Sequence, residues 1–255
     1  NSPLVSSIAE DRRAQPTLAS SNDLIGAPLA WAEGYDGSGQ AVAVLDTGVD
    51  KTHPWFIAGG IKVVSEACYS TTSLAQNMTS LCPGGVASST AAGSGLHCDP
   101  SITGCDHGTH VAGIVAGNDG SGPDFGAARG ADVIAIQVFS QLDSPADCGL
   151  LSNPCVTSFS GDVIAGLERV LELKDSLDIA AVNMSLGGDR YFDQASCDAD
   201  NGATKAAIDN LRSFGIATIV ASGNYGWKDS ISTPGCVSSA VTVAASTDTD
   251  AIASF

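Results

Sequence analysis

The sequence predicts an α/β fold in three layers, α/β/α, with a mainly parallel central sheet between two helical layers. Three observations predict it. Apolar runs without polar alternation recur along the chain, as strands covered on both faces require, and residues 40–46 are the clearest case. Segments with helical spacing of apolar residues separate these runs, and such strand–helix–strand repetition builds a parallel sheet through right-handed crossovers. The 255 residues, 44% of them hydrophobic, suffice for one sizeable domain.

Taken in order, residues 1–20 are polar, carry Pro3 and Pro16, and are expected to lie outside the core. Residues 27–33 read as a short helix anchored by Trp31, and Asp36-Gly37-Ser38-Gly39 as a turn. After the strand at 40–46, further strands are expected at 61–66, 132–139, 178–185, 216–221 and 240–245. Helices alternate with them. One spans 109–116. A second spans 161–173, with Val163, Ile164, Leu167, Val170 and Leu171 on one face. A third spans 203–214, with Ala207, Ile208, Leu211 and Phe214 at helical spacing. The stretch from Cys68 to Asp106 breaks the pattern. It is rich in Ser, Thr, Gly and Cys and reads as a surface insertion pinned by disulfides.

Acidic residues number 28 against 11 Lys and Arg, a net charge of −17. A phosphate backbone is repelled by such a chain, which argues against a nucleic-acid partner. No run approaches the about 18 apolar residues of a membrane helix. The eight cysteines are even in number and form no Cys-x-x-Cys pair, which favours disulfides in an oxidising, extracellular setting over a zinc ribbon. Short loops favour the pairs Cys98–Cys105 and Cys148–Cys155. Cys68–Cys82 and Cys197–Cys236 then remain.

The chemistry gathers at the ends of these elements. In open parallel sheets, active residues collect at the carboxyl ends of strands. Asp46 ends the first strong strand, and Gly48 lets the chain turn sharply after it. Within Asp106-His107-Gly108-Thr109-His110-Val111-Ala112-Gly113, His107 stands at the mouth of a helix with small residues behind it. A carboxylate such as Asp46 fixes one ring nitrogen of a histidine, and the other nitrogen then serves a nucleophile as general base. Val220-Ala221-Ser222-Gly223-Asn224 is a later strand that ends in an amide.

Four motifs in this order resemble those of the subtilisin-like serine proteases, the subtilase family. Asp46-Thr47-Gly48-Val49-Asp50 with His53-Pro54 resembles the aspartate motif, and the string from His107 to Gly113 the histidine motif. Asn183-Met184-Ser185-Leu186-Gly187-Gly188 resembles the substrate-binding strand, and Ala221-Ser222-Gly223-Asn224 the oxyanion segment. The resemblance runs from about residue 23 to the end of the chain. It implies a subtilisin-like fold and a secreted serine endopeptidase working through an acyl-enzyme. Asp46 then orients His107, His107 is general base and later general acid, and the side chain of Asn224 donates to the oxyanion. The backbone of Ser185, Leu186 and Gly187 pairs with an extended polypeptide substrate. No cofactor is implied for catalysis. A structural calcium is an expectation from relatives, with Asn118–Asp124 as its candidate loop and Trp55 standing where some relatives carry an acidic ligand.

The chain also departs from the family. No serine lies in the Gly-Thr-Ser context of the family nucleophile, so that residue is expected beyond Phe255, and residues 21–255 are read as a peptidase domain without its C-terminal part. Ser6-Ser7-Ile8-Ala9-Glu10-Asp11 resembles the last strand of an inhibitory propeptide. Residues 1–20 are therefore read as a propeptide end and maturation junction, with the chain's own propeptide as inhibitor and chaperone. A monomer is expected. Two other functions compete: an inactive pseudoprotease or peptide-binding fragment, and a metal-dependent hydrolase using His107 and His110, three apart on a helix. A dinucleotide site is disfavoured, because Asp46-Thr47-Gly48 stands where Gly-x-Gly-x-x-Gly would. Residues 225–234 border the expected primary specificity pocket and place no evident acid at its floor, which points to apolar or broad choice.

Overall fold

The computed structural model describes residues 18–122, 125–149 and 151–254. The propeptide reading of the first residues, up to 17, and the end at Phe255 lie outside them. Along the chain, the strands are β1 (Ala41–Asp46), β2 (Val63–Tyr69), β3 (Met78–Ser80), β4 (Ser88–Ser89), β5 (Asp132–Gln137), β6 (Ser140–Leu142), β7 (Cys155–Thr157), β8 (Ile179–Met184), β9 (Arg190–Tyr191), β10 (Ala217–Ala221), β11 (Ile231–Ser232) and β12 (Val241–Val243). The helices are α1 (Leu18–Leu24), α2 (Ala27–Ala32), α3 (Pro54–Ile57), α4 (His107–Ala116), α5 (Ser160–Leu173), α6 (Gln194–Asp200) and α7 (Gly202–Ser213).

The central sheet has the order β12-β10-β8-β1-β5-β2-β4, and every pair in it is parallel except β2–β4. Residue alternation along its middle strands explains the layers. Ala43 and Leu45 of β1, with Ile134 and Ile136 of β5, pack against Leu167 of α5 and Ile208 and Leu211 of α7. The residues between them, Val44, Val133 and Ala135, pack against Val111, Ala112 and Ala116 of α4. With both faces covered, polar alternation has no place, and β1 reads as an unbroken apolar run. Gly166 lets α5 approach the sheet, since a Cβ there would stand 2.9 Å from Leu45.

The strands expected at 40–46, 132–139, 178–185 and 216–221 are present within two residues at each end, and the helices likewise. The 61–66 strand lies further along, at β2, because Val63 to Cys68 are the residues that register with β5. Trp31 anchors its helix as expected: its Nε1–H donates to the Ala127 carbonyl at 2.9 Å, and the Arg129 guanidinium lies 4.5 Å from its ring centroid. The four disulfides are Cys68–Cys82, Cys98–Cys105, Cys148–Cys155 and Cys197–Cys236. The insertion is more ordered than its composition suggests. It contributes β4 to the sheet edge and β3 to an antiparallel sheet β3-β6-β7.

Candidate active site

β1, β8 and β10 run parallel, so residues 46, 185 and 224 all come at the same end of the sheet, at or just past the carboxyl ends of their strands. Asp46 is the last residue of β1, its side chain 1% exposed. His107 is the first residue of α4, its side chain 46% exposed. The two meet: His107 Nδ1–H donates to Asp46 Oδ1 at 2.8 Å. The same oxygen accepts the Thr47 N–H at 2.7 Å, and Oδ2 is buried without a partner among the described residues. The hydrogen bond to Asp46 raises the His107 pKa above its ordinary 6.5, burial opposes it, and the charges of Asp46 and Asp106 add to the rise. The imidazolium is thus favoured beside a carboxylate removed from water.

Local sequence explains why these two side chains touch. Gly48 has φ +89°, and a Cβ on it would stand 2.2 Å from the Leu96 carbonyl, so the turn after β1 admits no side chain. A Cβ on Gly108 would stand 2.3 Å from the Gly48 carbonyl and 3.1 Å from Asp46 Oδ1. The helix start can therefore lie directly on the strand end. Two threonines complete the junction. Thr47 Oγ1 donates to the Cys105 carbonyl at 3.2 Å and accepts the Gly108 N–H at 2.9 Å. Thr109 Oγ1 accepts the Asp50 N–H at 2.8 Å. Sequence reasoning passed over both hydroxyls, although each lies inside one of the motifs.

The remaining expected residues are placed but less closely joined. Ser185 follows β8 and its hydroxyl accepts from Asn183 Nδ2 at 3.0 Å. Leu186 is half-buried, and Gly187 and Gly188 are exposed. A Cβ on Gly187 would stand 3.2 Å from Ser232 Cβ, and Gly188 N–H donates to the Thr233 carbonyl at 2.8 Å. The segment after β8 thus lies against the 232–233 segment. Asn224 lies three residues past β10. It is exposed and makes no hydrogen bond among the described residues, so the structure does not tie it to the Asp46–His107 pair. Ser232, which sequence reasoning did not single out, is fully buried, with its hydroxyl unpartnered among the described residues and Gly223 (φ +110°) packed against it.

For a metal, the described residues hold no group of three or more His, Cys, Asp or Glu arranged to bind one. Among the described residues the metal-hydrolase alternative therefore has no ligand set. In the loop considered for calcium, Asn118 Oδ1 accepts from Gly120 N–H at 2.8 Å, and Asp119 Oδ1 accepts from Ser121 and Gly122 at 2.9 and 3.0 Å. Those oxygens serve the turn itself, while Pro123 and Asp124 lie outside the described residues. Among the described residues, no helix is long and apolar enough to cross a membrane.

Residues 37–255 match the family model described as Peptidase_S8, the subtilase family. The chain is 32% identical over 241 residues to the minor extracellular protease Vpr of Bacillus subtilis (strain 168), covering 93% of this chain and 24% of that one. It is 28% identical over 212 residues to subtilisin E of the same strain, covering 83% of this chain and 41% of that one. The chain thus spans less than half the length of either relative. Among solved structures, Sphericase superposes with a TM-score of 0.56 at 26% identity, over 82% of this chain and 54% of that chain. The S41 psychrophilic protease does so with a TM-score of 0.55 at 27% identity, over the same shares.

Proposed function

The chain belongs to the subtilase family, and we propose that it carries the Asp–His part of the active site of a secreted serine endopeptidase. The observation that supports this most directly is the 2.8 Å bond from His107 Nδ1 to a buried carboxylate at the carboxyl end of β1. With Nδ1–H held by Asp46, Nε2 carries the lone pair. It takes the proton of a serine hydroxyl as that oxygen attacks the peptide carbonyl, and returns it to the amine that leaves. The ester formed, an acyl-enzyme, is hydrolysed by water through the same base. The side-chain amide of Asn224 donates to the oxyanion in both steps, a contribution on the order of 3 kcal/mol. Ser185, Leu186 and Gly187 offer their backbone to an extended substrate.

In this reading the nucleophile is a serine in a Gly-Thr-Ser context, a triplet absent from residues 1–255. Residues 1–20 are the end of an inhibitory propeptide with its maturation junction. Secretion is supported by four disulfides and by a relative named an extracellular protease. The test takes the full product of the gene encoding this chain. It is expected to cleave casein and to react with a serine-directed phosphonate, and His107→Ala lowers kcat by several orders of magnitude with the fold retained. Near-normal turnover by that variant removes His107 from the mechanism. A gene whose full product lacks such a serine overturns the enzyme and leaves a peptide-binding protein.

A further inference from the structure

Along α4, beside the Asp46–His107 pair, the structure holds a cavity of about 410 Å³, within the size range of small-ligand sites. The helix supplies one stripe of its wall: Asp106, Thr109, His110, Gly113 and Ile114, at spacings of three, four, seven and eight residues. The turn after β1 supplies Asp50, helix α3 supplies Trp55, and the end of the insertion supplies His97.

The charge of this lining is one-sided. Two carboxylates line the cavity and no Lys or Arg does. Asp106 makes no side-chain hydrogen bond to the helix it precedes and no ion pair among the described residues. Asp50 accepts from the Thr52 hydroxyl at 2.6 Å and the Thr52 N–H at 3.0 Å. Those bonds hold its carboxyl below the ordinary carboxylate value, so it remains an anion. Trp55 is seated against the helix: Cβ atoms on Gly113 and Gly117 would stand 3.6 and 2.4 Å from its ring. Two anions and a fixed indole without a resident cation form a receptor for an organic cation. Three imidazoles also line the cavity, yet no metal-binding group exists there among the described residues.

We propose that this cavity is a second substrate subsite, which takes an arginine or lysine side chain of a polypeptide with its charged head toward Asp50 and Asp106 and its stem along Trp55. Asp106 directly precedes His107, so a chain anchored there reaches the base. The inference rests on the peptidase reading for the source of the polypeptide, but it is tested by binding without turnover, so the two fail separately. In the full gene product carrying His107→Ala, calorimetry compares acetyl-Gly-Arg-Gly-amide with its uncharged citrulline isostere. The arginine peptide binds roughly tenfold tighter. Asp106→Asn removes most of that margin. Ile114→Arg, at an exposed position, sets the chain's own guanidinium at the cavity and abolishes the margin while the thermal melt stays unchanged. Equal affinity for the two peptides, including no measurable binding of either, overturns the proposal, as does a margin that neither variant alters.

Discussion

The proton on His107 has opposite consequences for folding and for turnover. Its pKa is raised above 6.5, first by the hydrogen bond to Asp46, so the folded chain holds the proton more tightly than the unfolded one. The stability this pair contributes is fully present below about pH 6.5, the ordinary value, and is lost as pH rises through the raised folded value. In the proposed mechanism, catalysis needs the neutral ring. The acid limb of kcat/KM is therefore expected above the ordinary histidine value, with activity lost as pH falls through it. Asp46→Asn removes the charge and replaces one carboxylate oxygen by an NH2 donor. It shifts the acid limb to lower pH and lowers kcat by about 10⁴-fold, the ring being left in the wrong tautomer. A pH–rate profile of the full gene product, with an NMR titration of the His107 ring, measures both effects. An acid limb that does not move would show that Asp46 does not govern the ring.

At the scale of elements, the approach to α4 is held by a covalent clip. Cys105 lies two residues before His107, is bridged to Cys98, and accepts from Thr47 Oγ1 through its carbonyl. Closing so short a loop contributes about 2 to 3 kcal/mol in the chain-entropy account. Replacing both cysteines by serine is expected to cost about 2 kcal/mol in chemical denaturation and to lower kcat more than it raises KM, because the helix start that carries the base is loosened. The matching change at Cys68 and Cys82, which tie β2 to the insertion, lowers stability and spares kcat. Equal kinetic losses in both variants would take the clip out of the positioning of His107. The elements readable in the sequence are those whose burial is one-valued along their length: β1, with nearly every residue buried, or α5, with one apolar face. Strands β3, β6 and β7 have three residues each, too few for a period. Helix α6 buries only Cys197, and its bridge to Cys236 holds it in place. Asp46 and His107 were legible because one ends an apolar strand and the other begins an apolar helix, with Gly48 and Gly108 bringing the two ends together. The cavity beside them was not, because its walls come from the end of the insertion, the turn after β1, helix α3 and a stripe of α4, which only the fold assembles.

Over the whole molecule, the net charge of −17 acts differently from the two carboxylates of one cavity. A local contact between an arginine and Asp106 is short and weakly screened, whereas the summed field of surface aspartates reaches outward only as far as the ionic atmosphere allows. Salt separates the two. Between about 0.01 M and 1 M ionic strength, the screening length falls from roughly 30 Å to roughly 3 Å. With a cationic and an anionic fluorogenic peptide of otherwise equal sequence, the ratio of kcat/KM is expected to favour the cation several-fold at low salt and to shrink as salt is added, through KM and the association rate more than through kcat. Asp106→Asn lowers that ratio at every salt concentration and leaves its salt slope, since one charge in 28 acidic residues hardly changes the far field. A ratio independent of salt in the wild-type protein would assign the acidic surface to solubility alone, and leave any preference for basic polypeptides to the cavity along α4.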